Sequence, residues 1–299
     1  MSKRTKFEAI SVWADEDEFS VSFMCPRLKV SESGYYRFKK RRPSARDLRD
    51  DELEAKIIKH YKEQRGNPGT RRLQGCLAAE GIHTSRRRIG RLMGRNGLVG
   101  RHIRAYKTTT LSDGAPIDIP DLICRDFSVG ELNKRWCGDI TYVKTASGWA
   151  YKAVVLDLGS RRPIGWAIGS HMREDLIERA LADALSCRGN PVDVIFHSDR
   201  GSVYTSADFR SFCKRHHVHQ SMGRTGICWD NAVAESYFAT YKKELIFNRP
   251  WKNVEEVRQE TFKWIEYYYC RLRRHSSLGY MTPVEFELDC CSSGYELAA

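Results

Sequence analysis

The pattern of apolar residues between positions 135 and 245 is the feature that most limits what this chain can fold into. WCGDITYV, YKAVVLD and RRPIGWAIG are apolar, β-branched runs joined by short turns, and they predict three consecutive strands. They are followed by helical spacing over 172–186, a strand in VDVIFHS, a helix over 206–216, a short strand in VHQSM and a helix over 230–245. This order predicts a five-stranded mixed sheet with helices on both faces.

The same order of elements is that of a ribonuclease-H-like α/β core, in which the first strand is central and the fourth strand pairs beside it. Asp139 on the first strand and Asp199 at the end of the fourth strand would then be neighbours. On the last helix, Asn231, Glu235 and Lys242 are spaced so that they share one face. We therefore expect the carboxylates of Asp139, Asp199 and Glu235 to converge.

Three converging carboxylates indicate a metal site. Carboxylate oxygens are preferred ligands of Mg²⁺, and clustered carboxylates resist joint ionisation unless a cation balances them. We predict that Asp139, Asp199 and Glu235 hold two Mg²⁺ ions for phosphodiester chemistry, at the separation of about 3.5–4 Å that such sites use. Lys242 would reach a phosphate. Each acid also has a structural alternative, as a turn or strand-end residue or as a helix-surface charge.

The net charge of +12 is unevenly distributed along the chain. Residues 1–115 carry 26 Lys and Arg against 14 Asp and Glu, whereas residues 116–299 carry 24 of each. A basic module joined to a neutral one is typical of a polyanion-binding arm on a separate core. A solvated basic surface is the alternative interpretation.

A helix-turn-helix pattern lies within this basic region. An amphipathic helix is predicted over 50–64, a second from Thr70 to Glu80, and a third after the capping pair Thr84-Ser85. The apolar residues of the third helix form one stripe, so its arginines can face outward together. We predict DNA contacts from these arginines, which are Arg86, Arg87, Arg88, Arg91 and Arg95. A small helical bundle with a solvated basic face is the alternative.

Turn residues and the loss of periodicity set the remaining boundaries. No fold is assigned to residues 1–30. The predicted divisions are a basic segment over 1–44, the helix-turn-helix domain over 45–107, a linker over 108–130, the catalytic core over 131–248, a helical extension over 249–289 and an unstructured tail over 290–299.

Composition argues against a secreted or membrane protein. No apolar run approaches the ~20 residues that span a bilayer, and the charged N-terminus lacks a signal-peptide core. The ten cysteines are scattered without CxxC spacing, as expected for reduced thiols in the cytosol. The cluster Cys213, His216, His217 and His219 straddles a predicted helix end and a strand, which disfavours zinc. Asp157 before Gly-Ser is favoured as a turn residue over a fourth metal ligand.

From about Ser31 to Phe286 the chain resembles the second reading-frame product of transposases of the insertion sequence three family, within the retroviral-integrase superfamily. The matching stretches, in order, are SGYYRF, SRRRIGRLMGRNGL, WCGDITYV, DLGSRRPIGW, HSDRGSVYTS, SMGRTGICWDNAVAESYFATYKKEL and RRHSSLGYMTP. Two positions depart from the pattern: Val203 stands where relatives commonly have Gln, and Cys270 stands where they usually have Asn.

The resemblance implies an Asp-Asp-Glu triad at Asp139, Asp199 and Glu235, with Mg²⁺ as the cofactor and Mn²⁺ as a substitute. It implies cleavage at transposon ends and attack of the resulting 3′-hydroxyls on target DNA. Lys242 is similar to the family's end-DNA contact. The basic run after Cys270 adds three further predicted DNA contacts, which are Arg271, Arg273 and Arg274.

The resemblance also implies partners. These are DNA, as terminal inverted repeats and target, and further copies of the chain in a synaptic complex, since two ends must be joined. A fusion with an upstream reading-frame product is also implied, as is a bacterial cytoplasmic location near the nucleoid, with no membrane partner. Two other functions stay open at this point: a nuclease of the same fold that does not join strands, and a non-catalytic DNA-binding regulator.

Overall fold

The computed structural model of the chain describes residues 2–16, 19–40, 44–101, 119–223 and 231–292. The chain divides into two compact units, residues 1–55 and 56–299. The part of the predicted linker over 108–118, the segment 224–230 and the part of the predicted tail from 293 onward lie outside the described residues. Among the described residues, no helix is both long enough and apolar enough to cross a membrane.

The first unit is helical. Its helices are α1 (Lys3–Asp15), α2 (Val21–Arg27), α3 (Glu32–Lys39) and the start of α4 (Ala45–Glu63). The hydroxyls of Ser2, Ser20 and Ser31 each accept a hydrogen bond from the backbone N–H three residues later, which caps the first three helices. Ile10 and Tyr35 are at the centre of a small core. Residues 1–30, for which the sequence predicts no fold, contain α1 and α2, because short helices with few apolar positions leave little periodic signal.

The predicted helix-turn-helix forms α5 (Thr70–Ala79) and α6 (Arg86–Arg95) in the second unit. Ser85 caps α6 by accepting from the Arg88 N–H at 3.2 Å, as the sequence indicates. Gly69 is the N-cap of α5, and Thr70 is its first helical residue, where the sequence predicts the helix to begin. Gly81, with φ of 76°, follows the end of α5.

The second unit is built on one sheet. Its strands are β1 (Arg135–Thr145), β2 (Gly148–Asp157), β3 (Pro163–Gly169), β4 (Val194–Ser198) and β5 (Val218–Met222). The strand order is β3-β2-β1-β4-β5, with antiparallel pairing among the first three and parallel pairing of β1 with β4 and of β4 with β5. The predicted ribonuclease-H-like mixed sheet, with its first strand central and its fourth strand beside it, is confirmed.

Helices cover both faces of this sheet. They are α7 (Glu174–Cys187), the short α8 (Ser202–Thr205) and α9 (Ala207–Arg215), with α10 (Ala232–Glu244) and α11 (Val254–Lys263). Residues of α7 and α9 share one core cluster with Phe196, and residues of α10 and α11 share the other with Val154. On β3, a Cβ at Gly165 would lie 2.2 Å from the Ala180 carbonyl oxygen, so a glycine is needed for α7 to pack this closely.

The C-terminal extension is part of the second core cluster. Asn253 caps α11 by accepting from the Glu256 N–H at 2.9 Å, and the Glu256 carboxylate accepts from the Lys252 N–H at 2.7 Å. The helix continues as a π-helical segment over Trp264–Tyr269. A final helix, α12 (Pro283–Ser292), buries Cys290, so residues 290–292 of the predicted unstructured tail are helical.

The sequence predicts a linker over 108–130, but residues 119–130 pack against the core. Ile123 is buried in the cluster that includes α10. The Leu122 N–H donates to the Ser221 hydroxyl at 2.9 Å, and Arg161 donates to the Phe127 carbonyl. Gly114, Pro116 and Pro120 favour a linker in the sequence, but Ile123 and Phe127 pack against the core.

Candidate active site

Two parallel strands place Asp139 and Asp199 at the same end of the sheet. β1 and β4 pair with Cys137 opposite His197, and each aspartate lies two residues beyond its paired residue. Side chains two residues apart point to the same face of a strand. The Ile140 N–H donates to Asp139 Oδ1 at 2.7 Å, and the Gly201 N–H donates to Asp199 Oδ1 at 3.0 Å. Asp139 on β1 and Asp199, one residue beyond the end of β4, therefore lie at the same end of two neighbouring strands.

Helix α10 brings Glu235 to this place. Its N-cap residue, Asn231, donates from Nδ2 to the Gly138 carbonyl at 3.2 Å, which joins the start of the helix to the strand next to Asp139. Glu235 lies one turn further on the same helix face. Its side chain is exposed, whereas Ala234 beside it is buried in the core.

The electrostatics of the site show that the carboxylates influence one another. Burial raises the pKa of Asp139 to about 7, and the negative charges of Asp199 and Glu235 add to the rise. Burial also raises the pKa of Glu235. Lys242 lies 5.2 Å from the centre of the Tyr142 ring, and burial lowers its pKa while Asp139 opposes that change. A cation bound near Asp139 would therefore favour the ionised carboxylate.

The donor set fits a hard divalent cation. Asp139, Asp199 and Glu235 offer carboxylate oxygens, which suit Mg²⁺ and Mn²⁺. Within the part of the chain that the structure describes, however, no group of three His, Cys, Asp or Glu side chains is close enough to hold a metal ion. Burial is the main cause of the raised pKa of Asp139, and the charges of Asp199 and Glu235 add to it, so a bound cation would favour ionisation of all three carboxylates.

Asp157 has the turn role that the sequence analysis favours. Its carboxylate is fully buried and accepts from the Asn133 N–H at 3.0 Å and the Gly159 N–H at 2.8 Å, with Arg188 at 3.7 Å. Its oxygens are therefore used in holding the end of β2.

The cysteine and histidines considered as zinc ligands do not share one environment: Cys213 is buried, whereas His216 and His219 are exposed. Cys213 lies on the buried face of α9. The exposed His219 contacts Asp193 at 3.1 Å, and His216 stacks near Phe212 with 4.4 Å between ring centres.

The arginines of α6 lie as the amphipathic pattern predicts. Ile89 and Leu92 are completely buried. Of the predicted DNA contacts, Arg88 is partly exposed and the others are exposed, namely Arg86, Arg87, Arg91 and Arg95. Their contact with DNA stays a prediction.

The C-terminal arginines differ from one another. Arg271 is exposed. Arg274 donates to both carboxylate oxygens of Glu285, each at 3.0 Å. Arg273 is almost buried and donates to both oxygens of Glu244 at 3.3 and 3.1 Å. The buried Glu244 carboxylate needs this guanidinium as a counter-charge, and contact of these arginines with DNA stays a prediction.

Sequence reasoning missed a buried lysine next to α10. Lys152 on β2 donates to the Tyr237 hydroxyl at 2.7 Å and lies 3.7 Å from the centre of the Tyr241 ring. Burial holds its pKa well below the usual value. A signal was present, since period-2 alternation places Lys152 on the same strand face as Val154 and Leu156, which are core residues.

The fold and the site together define a class: polynucleotidyl transferases with an integrase catalytic core preceded by a helix-turn-helix. Family models agree. One described as an integrase core domain matches residues 131–228, a second integrase core domain model matches 216–283, and an HTH-like domain model matches 48–106.

The chain belongs to the transposases of the IS3 family of insertion sequences, as its resemblance indicates, and it is a DNA transposase. Transposase InsF for insertion sequence IS3A of Escherichia coli (strain K12) is 36% identical over 273 residues, which cover 90% of this chain and 94% of the relative. The insertion element IS600 uncharacterized 31 kDa protein of Shigella sonnei is 36% identical over 263 residues, covering 88% and 97%. The HTLV-2 integrase catalytic core domain in complex with magnesium (dimeric form) is similar over 52% of this chain and 97% of its own, with 18% identity and a TM-score of 0.41.

Proposed function

We propose that this chain catalyses metal-dependent cleavage at the ends of its own transposon and transfers the 3′-hydroxyl to target DNA through Asp139, Asp199 and Glu235. One observation supports the proposal most. The parallel register of β1 and β4 sets the two aspartates at the same end of neighbouring strands, and the bond from Asn231 to Gly138 joins the glutamate-bearing helix to β1.

Each side chain has a role that its position supports. Asp139 is the most enclosed of the three, and burial raises its pKa to about 7; a cation held beside it would lower that pKa and so favour the ionised carboxylate at neutral pH. Asp199 and Glu235 are exposed and can meet the cation from the open side. Two Mg²⁺ ions held there would activate the attacking oxygen and stabilise the leaving oxygen. Lys242, close to Asp139, would hold a phosphate of the DNA strand.

The direct test is cleavage of DNA that carries the inverted repeats flanking this gene. Asp139→Asn should bind that DNA as the wild type does, yet lose cleavage by at least about 10³-fold, because one cation ligand is gone. The matched control is Asp208→Asn on α9, an exposed aspartate on another helix. Unchanged cleavage by Asp139→Asn would overturn the assignment.

Strand joining separates this function from its two rivals. A pre-cleaved transposon end with a free 3′-hydroxyl should become joined to target DNA in the presence of Mg²⁺. Cleavage without joining would indicate a nuclease of the same fold, and binding without either reaction would indicate a regulator.

We also propose that the active form is an oligomer of this chain on DNA. Two transposon ends must react together, and each end needs an active site. Light scattering of the chain with end DNA should show at least two copies in one complex. A single copy that performs paired joining would contradict this.

A further inference from the structure

A groove of about 940 Å³ lies along one side of α10. Its other walls are the first turn of α5 and the loop over 273–280. From α10 it is lined by Ser236, Thr240 and Lys243, which recur at i, i+4 and i+7 and so share a face. Glu235 and Lys242 each precede one of these residues, which places them about 100° away around the helix. The groove therefore borders the face that carries the active site.

The charge of the groove has one sign. Its described lining residues include seven Arg and Lys and no Asp or Glu. Three of the seven form ion pairs with two carboxylates: Arg72 and Arg273 share Glu244 at 3.1 Å, and Arg274 contacts Glu285 at 3.0 Å. These ion pairs hold the walls in place, and the other four cations form no salt bridge among the described residues.

Those four are Arg71, Arg101, Arg161 and Lys243. Within the described residues none of them forms a salt bridge, and Arg71 and Arg101 are exposed. Arg101 donates to the main-chain carbonyl of Lys243 at 3.1 Å, and Arg161 donates to that of Phe127. Because a carbonyl oxygen is neutral, these bonds orient the guanidiniums without cancelling their charge. One nitrogen of Arg161, Nη1, is buried with no hydrogen-bond partner among the described residues.

The crowding of cations also acts on Lys243. Burial lowers its pKa, and the guanidiniums of Arg72, Arg273 and Arg101 lower it further, against the opposing effect of Glu244. An anion in the groove would relieve this repulsion.

Donors suited to phosphate line the same walls. Gly69 is the N-cap of the ten-residue α5 and supplies no side-chain cap, so the first-turn N–H groups lie at the groove wall with the positive end of the helix dipole. Ser276 and Ser277 add exposed hydroxyls. Arginine, lysine, hydroxyl and main-chain N–H donors are the groups that contact phosphates in protein–DNA complexes.

We infer that this groove holds the phosphodiester backbone of the transposon-end duplex, in the stretch between the helix-turn-helix and the reacting phosphate. The inference rests on the proposed function, since α5 is a helix-turn-helix element and α10 carries Glu235 on the adjoining face. It adds Arg71, Arg101 and Lys243 as DNA contacts that no sequence pattern singled out.

The test measures binding of the full chain to a labelled end duplex by fluorescence anisotropy over a range of KCl concentrations. In the triple variant Arg71→Gln, Arg101→Gln and Lys243→Gln, the salt slope should fall by about 2.7, since each phosphate contact contributes about 0.9, and affinity at 0.1 M salt should fall on the order of 500-fold. The control removes equal charge from α9, with Arg210→Gln, Lys214→Gln and Arg215→Gln, all exposed. The control should stay within about threefold of the wild type, because α9 lies on the other face of the sheet.

A single exposed position keeps the test independent of folding. Ser277→Glu puts a negative charge on the groove wall and should weaken binding about tenfold or more, whereas Ser211→Glu on α9 should not change it. Wild-type affinity and slope in the groove variants would overturn the inference, as would an equal loss in the α9 controls.

Phosphate-ethylation interference tells the end duplex from the target duplex. Ethylation of the phosphates that the groove contacts should block binding of the wild type to the end duplex, but should not further weaken binding of the triple variant. These phosphates should lie between the helix-turn-helix footprint and the cleaved bond. The same difference between the wild type and the triple variant on target DNA alone would contradict the inference. If groove variants bind normally while Asp139→Asn loses cleavage, the groove assignment fails and the proposed function stands. If the groove variants lose binding while Asp139→Asn still cleaves, the proposed catalytic role of Asp139 fails and the groove assignment stands.

Discussion

Replacing Asp139 by Asn should stabilise the metal-free protein at neutral pH, although it removes a proposed metal ligand. Burial, reinforced by the charge of Asp199, raises the Asp139 pKa from 3.8 to about 7. A carboxyl group with a raised folded-state pKa contributes stability that is full below the unfolded-state pKa and is lost as pH rises through the folded-state pKa. The free energy of unfolding of the wild type should therefore decrease between about pH 4 and pH 7.

The size of the effect follows from the two pKa values. Each pKa unit corresponds to about 1.4 kcal/mol, so a difference of about 3 corresponds to ~4 kcal/mol. This is an upper figure, because the Asp139 side chain is partly exposed and solvent screens it. An asparagine stays neutral, and its Oδ1 can keep the hydrogen bond from the Ile140 N–H. The variant should exceed the wild type in stability at pH 8 and lose that advantage near pH 4.

Urea unfolding in EDTA, followed by tryptophan fluorescence from pH 4 to pH 8, measures this difference. Asp208→Asn on α9 is the control and should follow the wild type at every pH. Added Mg²⁺ should stabilise the wild type and not Asp139→Asn, because only a state that binds the ion gains from it. An Asp139→Asn variant whose stability relative to wild type is independent of pH would refute the reasoning.

Three further predictions concern other residues. Burial lowers the folded-state pKa of Lys152, so the wild type loses stability relative to Lys152→Met as pH falls below the unfolded-state pKa of the lysine. The wild-type free energy of unfolding should therefore rise with pH by up to about 1.4 kcal/mol per pH unit relative to that variant. Lys144→Met, at an exposed position, should have the same pH dependence as the wild type. Glu244→Gln should lower the free energy of unfolding in urea by about 3–5 kcal/mol, because it leaves two enclosed arginines unpaired. The control Glu255→Gln, in an exposed ion pair, should lower it by less than about 1 kcal/mol. Replacing the arginines at 86–88 should weaken DNA binding and lower its salt slope, and an unchanged slope would mean that α6 does not contact DNA.

The sheet and the place of its acidic residues could be predicted because the signals are local. Each strand has a β-branched run, and the meander followed by helix–strand alternation leaves few ways to order them. Asp139 and Asp199 then follow from the pairing of β1 with β4. The helix caps at Ser85 and Asn253 were predictable for the same reason, since a cap acts within one turn.

The remaining features depend on contacts between distant parts of the chain. Arg72 and Glu244 are 172 residues apart, and Arg273 joins the same carboxylate, so no spacing rule could separate these arginines from surface ones. Residues 119–130 carry linker-like residues, yet Ile123 is buried by tertiary packing. The groove beside α10 likewise exists only where α5 and the C-terminal loop meet that helix.

A crystal structure of the full chain grown with Mn²⁺ and end DNA tests the central claim most directly, because anomalous scattering locates the ions. The account predicts two peaks about 3.5–4 Å apart, bound by carboxylate oxygens of Asp139, Asp199 and Glu235. Peaks bound by other residues, or a Glu235 carboxylate directed away from both ions, would contradict it.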